Sequence, residues 1–143
     1  MNKISEEISI KSPISKVFAA AETYPLFVKS FKERKILSSS STTSKVRITN
    51  IFLGIPLTWE GEGLKVKDKE IRWTQTRGLL KGLKANWLFQ AHSNQITRVV
   101  IQTTFIARQF SGHLLYRLSY FSSVKTAKII LNALKITAEK ASL

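Results

Sequence analysis

GLLKGLKANWLFQAHSNQITRVVIQTTF, residues 78–105, sets Ala85, Trp87 and Phe89 on one parity and then Val99, Ile101, Thr103 and Phe105 on one parity of a second run. Alternate residues of a strand point to the same face, so each run has one largely apolar face and one wetter face. The break between the runs, Ser93-Asn94, is short and polar. Parallel strands need a crossover of about a dozen residues or more, so the spacing predicts antiparallel neighbours.

The same alternation reaches back to Lys45. It is interrupted at Gly54-Ile55-Pro56, at Lys67-Asp68-Lys69, at Gly78 to Gly82 and at Ser93-Asn94, and these four breaks separate five strands. Upstream, ERKIL leads into SSSSTTS at 38–44, which reads as a turn between strands. ISEEISI at 4–10 places Ile4, Ile8 and Ile10 on one parity, as in a half-buried first strand. Ser12-Pro13 then suits a helix start, with serine as cap and proline in the first turn, and Ile14, Val17, Phe18 and Ala21 follow at helical spacing. Pro25 ends that helix, and Leu26 to Phe31 forms a second short helical piece.

Beyond Gly112 the period changes. Tyr120, Val124, Ala127, Leu131, Leu134 and Ala138 recur every three or four residues, while Lys125, Lys128, Lys135 and Lys140 fall mostly on other faces. The pattern predicts a helix over 114–141 of roughly 25 residues, about 40 Å long. Antiparallel strands followed by a long helix make an α+β domain with the sheet wrapped on one side of the helix.

The chain has 143 residues, enough for one domain over 1–143 with its own core. Apolar residues make up 43% and are spread along it, which excludes a disordered chain. With no cysteine, disulfides and thiolate metal sites are excluded, and two histidines are too few for a zinc site. No apolar run reaches the roughly 18 residues that cross a bilayer, and Met1 to Ile10 carries charges where a signal peptide is apolar. A cytoplasmic protein is expected. The net charge of +14 attracts anionic partners. By itself it does not choose among nucleic acid, the ribosome, an anionic membrane surface, where the protein would sit peripherally, and an acidic carrier protein.

The order strand, two short helices, antiparallel strands and long C-terminal helix resembles the START-like (SRPBCC) superfamily, and within it the polyketide cyclase and coenzyme Q-binding (COQ10-like) group. ISIKSPISKVFAAAETYPLFVKSF at 8–31, IRWTQTRGLLKGLKANWLF at 71–89 and ITRVVIQTTF at 96–105 carry the resemblance. It implies a helix-grip fold: a curved antiparallel sheet around the terminal helix, two short helices after strand 1, and an apolar cavity between sheet and helix. Such proteins bind lipids, quinones, hormones or polyketides, and the superfamily includes binders, enzymes and a bacterial ribosome association toxin branch. Fold alone does not choose between these.

On that resemblance the inner parities become the candidate lining: Ile71, Trp73, Gln75 and Arg77 on one strand, Trp87 and Phe89 on the next, Ile101, Thr103 and Phe105 on the last, with Val124 and Leu131 facing them from the helix. Gln75 and Arg77 matter most chemically, because a polar group on an apolar face needs a partner, and a ligand carbonyl or carboxylate would supply one. Otherwise, Arg77 reaches solvent at the strand end beside Gly78.

Catalytic residues are not expected. Asp68, the only aspartate, sits in a turn, and His92 and His113 lie near element ends, so position suggests no Ser-His-Asp set. Glu60 and Glu62 form an acid and base pair only if they face the cavity, where Gly61 and Gly63 on the alternate parity would leave room for a ligand. Gly61-x-Gly63 lacks a strand-turn-helix context, and Gly78-Leu-Leu-Lys-Gly82 lacks the Lys-Ser/Thr ending of a phosphate loop, so no cofactor is expected. Lys45, Arg47, Arg72, Lys84 and Arg98 fall on the outer sheet face, where nucleic acid would bind.

The expected function is binding, transport or delivery of a hydrophobic small molecule such as a quinone, isoprenoid lipid or polyketide. The alternatives are a polyketide cyclase or dehydratase, which needs an ionisable residue inside the cavity, and ribosome or RNA association.

Overall fold

A computed structural model describes residues 2–24, 31–52, 55–78, 81–105 and 113–141. Among them the elements are β1 (Asn2–Ile10), α1 (Ile14–Ala21), β2 (Phe31–Ser39), β3 (Thr43–Phe52), β4 (Ile55–Val66), β5 (Glu70–Arg77), β6 (Lys84–Ala91), β7 (Thr97–Phe105) and α2 (His113–Ala141). The strands form one seven-stranded sheet in the order β1-β7-β6-β5-β4-β3-β2. Every neighbouring pair is antiparallel. Three of the four breaks fall between strands as the sequence predicts; at the first, Ile55 and Pro56 open β4, and residue 54 lies outside the described residues. Of the two helices expected after β1, α1 is present; residues 26–30 of the second lie outside the described residues, and Phe31 begins β2.

The helix start departs from expectation. Pro13, at φ −61° and ψ 149°, occupies the cap position itself and no side chain caps the helix. Ser12 is fully buried, and its carbonyl accepts a hydrogen bond from the Thr97 hydroxyl at 2.8 Å. The residue before proline is pushed to extended backbone, which aims the Ser12 carbonyl at β7 instead of starting the helix. Val17, Phe18 and Ala21 then bury one face of α1.

Turn chemistry sets the strand ends. Asp68 takes φ 59° between β4 and β5, a conformation aspartate tolerates better than most residues. Gly78 takes φ 89° where β5 ends, and a Cβ there would lie 2.7 Å from the Thr58 carbonyl oxygen.

The core sits between one part of the sheet and the helices. Ile10, Val17, Phe18, Ala85, Trp87, Phe89, Val99 and Ile101 pack with Ile130, Leu131, Leu134 and Ala138 of α2. The backbone of α2 runs closest to β1, α1 and β7, and that of α1 closest to α2 and β6. Among the described side chains of α2, Ala127, Ile130, Leu131, Leu134 and Ala138 are buried, the three-and-four spacing of an amphipathic helix facing a sheet.

Candidate functional site

Partners across an antiparallel pair share a face, so the register divides the sheet without reference to exposure. Ile4, Thr103, Ala85, Trp73, Gly63 and Ser44 make one row across the inner face; Glu6, Ile101, Trp87 and Ile71 make the next. Opposite Ile48, which is fully buried, stands Trp59, so Trp59 is on the inner face too.

The inner residues fall into two groups. Trp87 and Phe89 are 5% exposed, Ile101 3% and Leu131 2%. Phe89 meets the edge of Phe18 at 5.1 Å between ring centroids, and Trp87 meets Tyr24 at 5.3 Å. These side chains are packed core under α1 and α2. Ile71 and Trp73, by contrast, are only half-buried, and Trp73 meets Tyr24 edge-on at 6.4 Å.

Trp73 owes its position to a missing side chain. A Cβ on Gly61 would lie 2.1 Å from Trp73 Cζ2, so the indole lies across β4 in the space that glycine leaves. The room expected for a ligand over Gly61 is filled by Trp73. The indole N–H donates to Gln75 Oε1 at 3.3 Å, and Gln75 and Thr103, each 7% exposed, are buried polar side chains on this face.

Arg77 is not part of this surface. A bulge opposite Glu60 and Gly61 inserts Thr76 as an extra residue in β5, so Gln75 faces Gly61 while Arg77 faces Glu60. One residue of slip transfers a side chain to the other face. The Arg77 side chain is 79% exposed and lies 3.9 Å from Glu60 Oε2. The side chains of Phe105 and Val124 lie outside the described residues.

The rim carries groups that sequence reading missed. Lys65 Nζ donates to Glu22 Oε2 at 3.1 Å, and Arg34 Nη2 donates to the Glu22 carbonyl at 3.2 Å, tying the end of α1 to β4 and β2. Arg34 pairs with Ile48, so it too is on the inner face; its Nε is buried without a partner, and burial lowers its pKa. Burial raises the Tyr24 phenol well above its ordinary value, keeping it neutral. Beside them, a rim pocket of about 190 Å³ is lined by Phe18, Glu22, Ser41, Thr42, Lys65 and Lys67. That is smaller than the roughly 300 Å³ at which ligand sites begin.

Glu6 was also missed. It shares the inner parity of Ile4, Ile8 and Ile10, faces Ile101, is half-buried and has no hydrogen-bond or ion-pair partner among the described residues. The parity alone could have found it; attention to the isoleucines hid it. Nothing of the kind could have revealed Arg34, whose face depends on the pairing of β2 with β3.

The outer face carries the rest of the charge chemistry. Glu60 and Glu62 point outward: Arg47 donates to Glu60 Oε1 through Nε at 3.0 Å and Nη2 at 2.9 Å, and Lys45 lies 3.5 Å from Glu62. Arg72 pairs with Glu70 at 2.9 Å, and Arg98 pairs with Glu7. Four of the five basic residues expected to form a nucleic-acid stripe are therefore locally neutralised; Lys84 has no ion pair among the described residues. No group of three potential metal ligands occurs among the described residues, and no helix there is long and apolar enough to cross a membrane.

No protein-family model matches the chain, and no curated protein matches it significantly. Solved structures do. The Zhui aromatase/cyclase from a Streptomyces species superposes with a TM-score of 0.90 at 14% identity, over 99% of this chain and 96% of that one. TTHA0849 from Thermus thermophilus gives 0.85 at 19% identity, over 99% and 100%. A START superfamily protein from Mycobacterium smegmatis gives 0.70 at 11% identity, over 92% and 96%. These likenesses agree with the antiparallel sheet, the helix after its first strand and the long C-terminal helix: the chain has the START-like helix-grip fold.

Proposed function

We propose that the protein binds a hydrophobic small molecule bearing an oxygen function, of the quinone, isoprenoid or polyketide kind, against the inner face of β4 and β5. One observation carries this reading: Trp73 is half-buried on a concave face, held flat over Gly61, with the buried amide of Gln75 bonded to its ring nitrogen. An aromatic wall with a few placed polar groups is the usual make-up of a small-molecule site. Removing apolar area from water contributes about 25 cal/mol per Å², while the Thr103 hydroxyl offers a hydrogen bond to a ligand oxygen. Native mass spectrometry of the purified protein tests this. A co-purified apolar molecule, displaced from wild type and absent from Trp73→Ala, is the expected result; a bare protein that also fails to take up added quinone or polyketide analogues would remove the reading.

A second reading, a cyclase or dehydratase acting on a polyketide-type substrate, is favoured by Glu6, an unpartnered carboxylate on the inner parity. Tyr24 would serve there only as a proton donor, because burial keeps its phenol protonated, and Arg34 is never a base. Turnover of an aromatic polyketide analogue that Glu6→Gln abolishes, with binding intact, would establish chemistry. Binding without turnover leaves the first reading standing.

A further inference from the structure

Lys45, Arg47, Arg72 and Arg98 on the outer sheet face are ion-paired; the exposed lysines of α2 have no ion pair among the described residues. Lys125, Lys128, Ile129, Asn132, Ile136 and Lys140 are all exposed, and at 100° per residue they share an arc of about 120°. Ile129 is 45% exposed and Ile136 69%, seven residues or about 10 Å apart on the same line of the helix. Lysines lie beyond both ends of this pair and along its flank. The nearest acid on the helix, Glu139, is half-buried and held by Lys135 at 3.1 Å. Exposed isoleucines on a solvated helix gain nothing from water, and three lysines without an ion pair among the described residues repel any surface as basic as this one.

We infer that this stripe of α2 docks the protein on an anionic lipid bilayer, Ile129 and Ile136 entering the interface and Lys125, Lys128 and Lys140 meeting lipid phosphates and carboxylates. Binding to such a surface grows with the apolar area buried in it plus the electrostatic attraction to anionic lipids, and this stripe supplies both. A second copy of the chain is a poorer occupant, because two stripes face to face would bring together six lysines in molecules of net charge +14 each. The surface is on the opposite side of α2 from Ala127, Leu131 and Leu134, which face the core, so docking does not depend on the ligand reading.

Sedimentation of the full-length protein with vesicles of phosphatidylcholine, or of equal parts phosphatidylcholine and phosphatidylserine, tests the inference. Wild type should bind the mixed vesicles and not the neutral ones. Ile129→Asp/Ile136→Asp should weaken binding at least about tenfold, and Lys125→Gln/Lys128→Gln/Lys140→Gln about a hundredfold, since each lysine near an anionic surface is worth about fivefold. Lys69→Gln/Lys81→Gln, in the β4–β5 and β5–β6 turns, should change it by less than about threefold. All substituted side chains are solvent-facing, so circular dichroism and binding of the uncharged probe N-phenylnaphthylamine should match wild type. Failure of wild type to bind mixed vesicles, equal losses from the α2 and turn variants, or a wild-type dimer that the isoleucine variant dissociates would each overturn it.

Discussion

Two adjoining parts of one inner sheet face have opposite characters. Over β1, β7 and β6 the apolar residues are sealed: Val99 is fully buried, Ile101 is 3% exposed, and helices α1 and α2 lie closest to these strands. Over β5, β4 and β3 the same face carries Gly61, Gly63 and Ser44 with a half-buried Trp73. The aromatic residue does not separate the two parts, since each has its tryptophan. What separates them is the covering helix on one side and the run of small residues on the other, which turns one aromatic into core and the next into a wall.

The comparison can be broken by substitution. The largest effect is expected from Trp87→Ala, which should destabilise the protein by about 3–5 kcal/mol, the range for a large aromatic lost from a packed core, read by denaturant titration. Finding less than about 1 kcal/mol would mean that Trp87 already faces open space. Gly61→Ala comes next. Its new methyl collides with the Trp73 ring, so a loss of about 1–3 kcal/mol is expected together with a shifted indole fluorescence; unchanged stability would mean that the ring moves freely and the wall is not built.

Of similar size is the effect of Gln75→Leu, which keeps the volume but removes the acceptor bonded to the Trp73 ring nitrogen. A cost of about 1–3 kcal/mol is expected for the lost partners, read by denaturant titration together with a shifted Trp73 fluorescence. The least should come from Lys45→Gln on the outer face. Its ion pair with Glu62 is more than 40% exposed on both sides, so thermal unfolding should show a change within about 1 kcal/mol that vanishes in high salt.

The sequence is most readable where one period governs. Breaks at Lys67-Asp68-Lys69 and Gly78 to Gly82 mark strand ends because left-handed backbone at Asp68, Gly78 and Gly82 is written in residue type. The buried stripe Ala127, Leu131, Leu134 and Ala138 is likewise visible in spacing alone. Readability fails at non-local events. Strict alternation puts Arg77 beside Gln75, but the bulge at Thr76, which depends on how β5 meets β4, turns it outward. Gly61 reads as an empty place, yet a ring from the next strand fills it. Trp87 and Trp73 look equivalent until the helices are laid down.

The division of the inner face is tested most directly by the dissociation constant of N-phenylnaphthylamine for Trp73→Ala and for Trp87→Leu, each measured where the variant is fully folded. The expected result is at least about tenfold weaker binding for Trp73→Ala, as for a lost aromatic contact of about 1.4 kcal/mol or more, and a change below about threefold for Trp87→Leu. Weaker binding in Trp87→Leu with Trp73→Ala unaffected would contradict it, placing the ligand in the core sealed under α1 and α2.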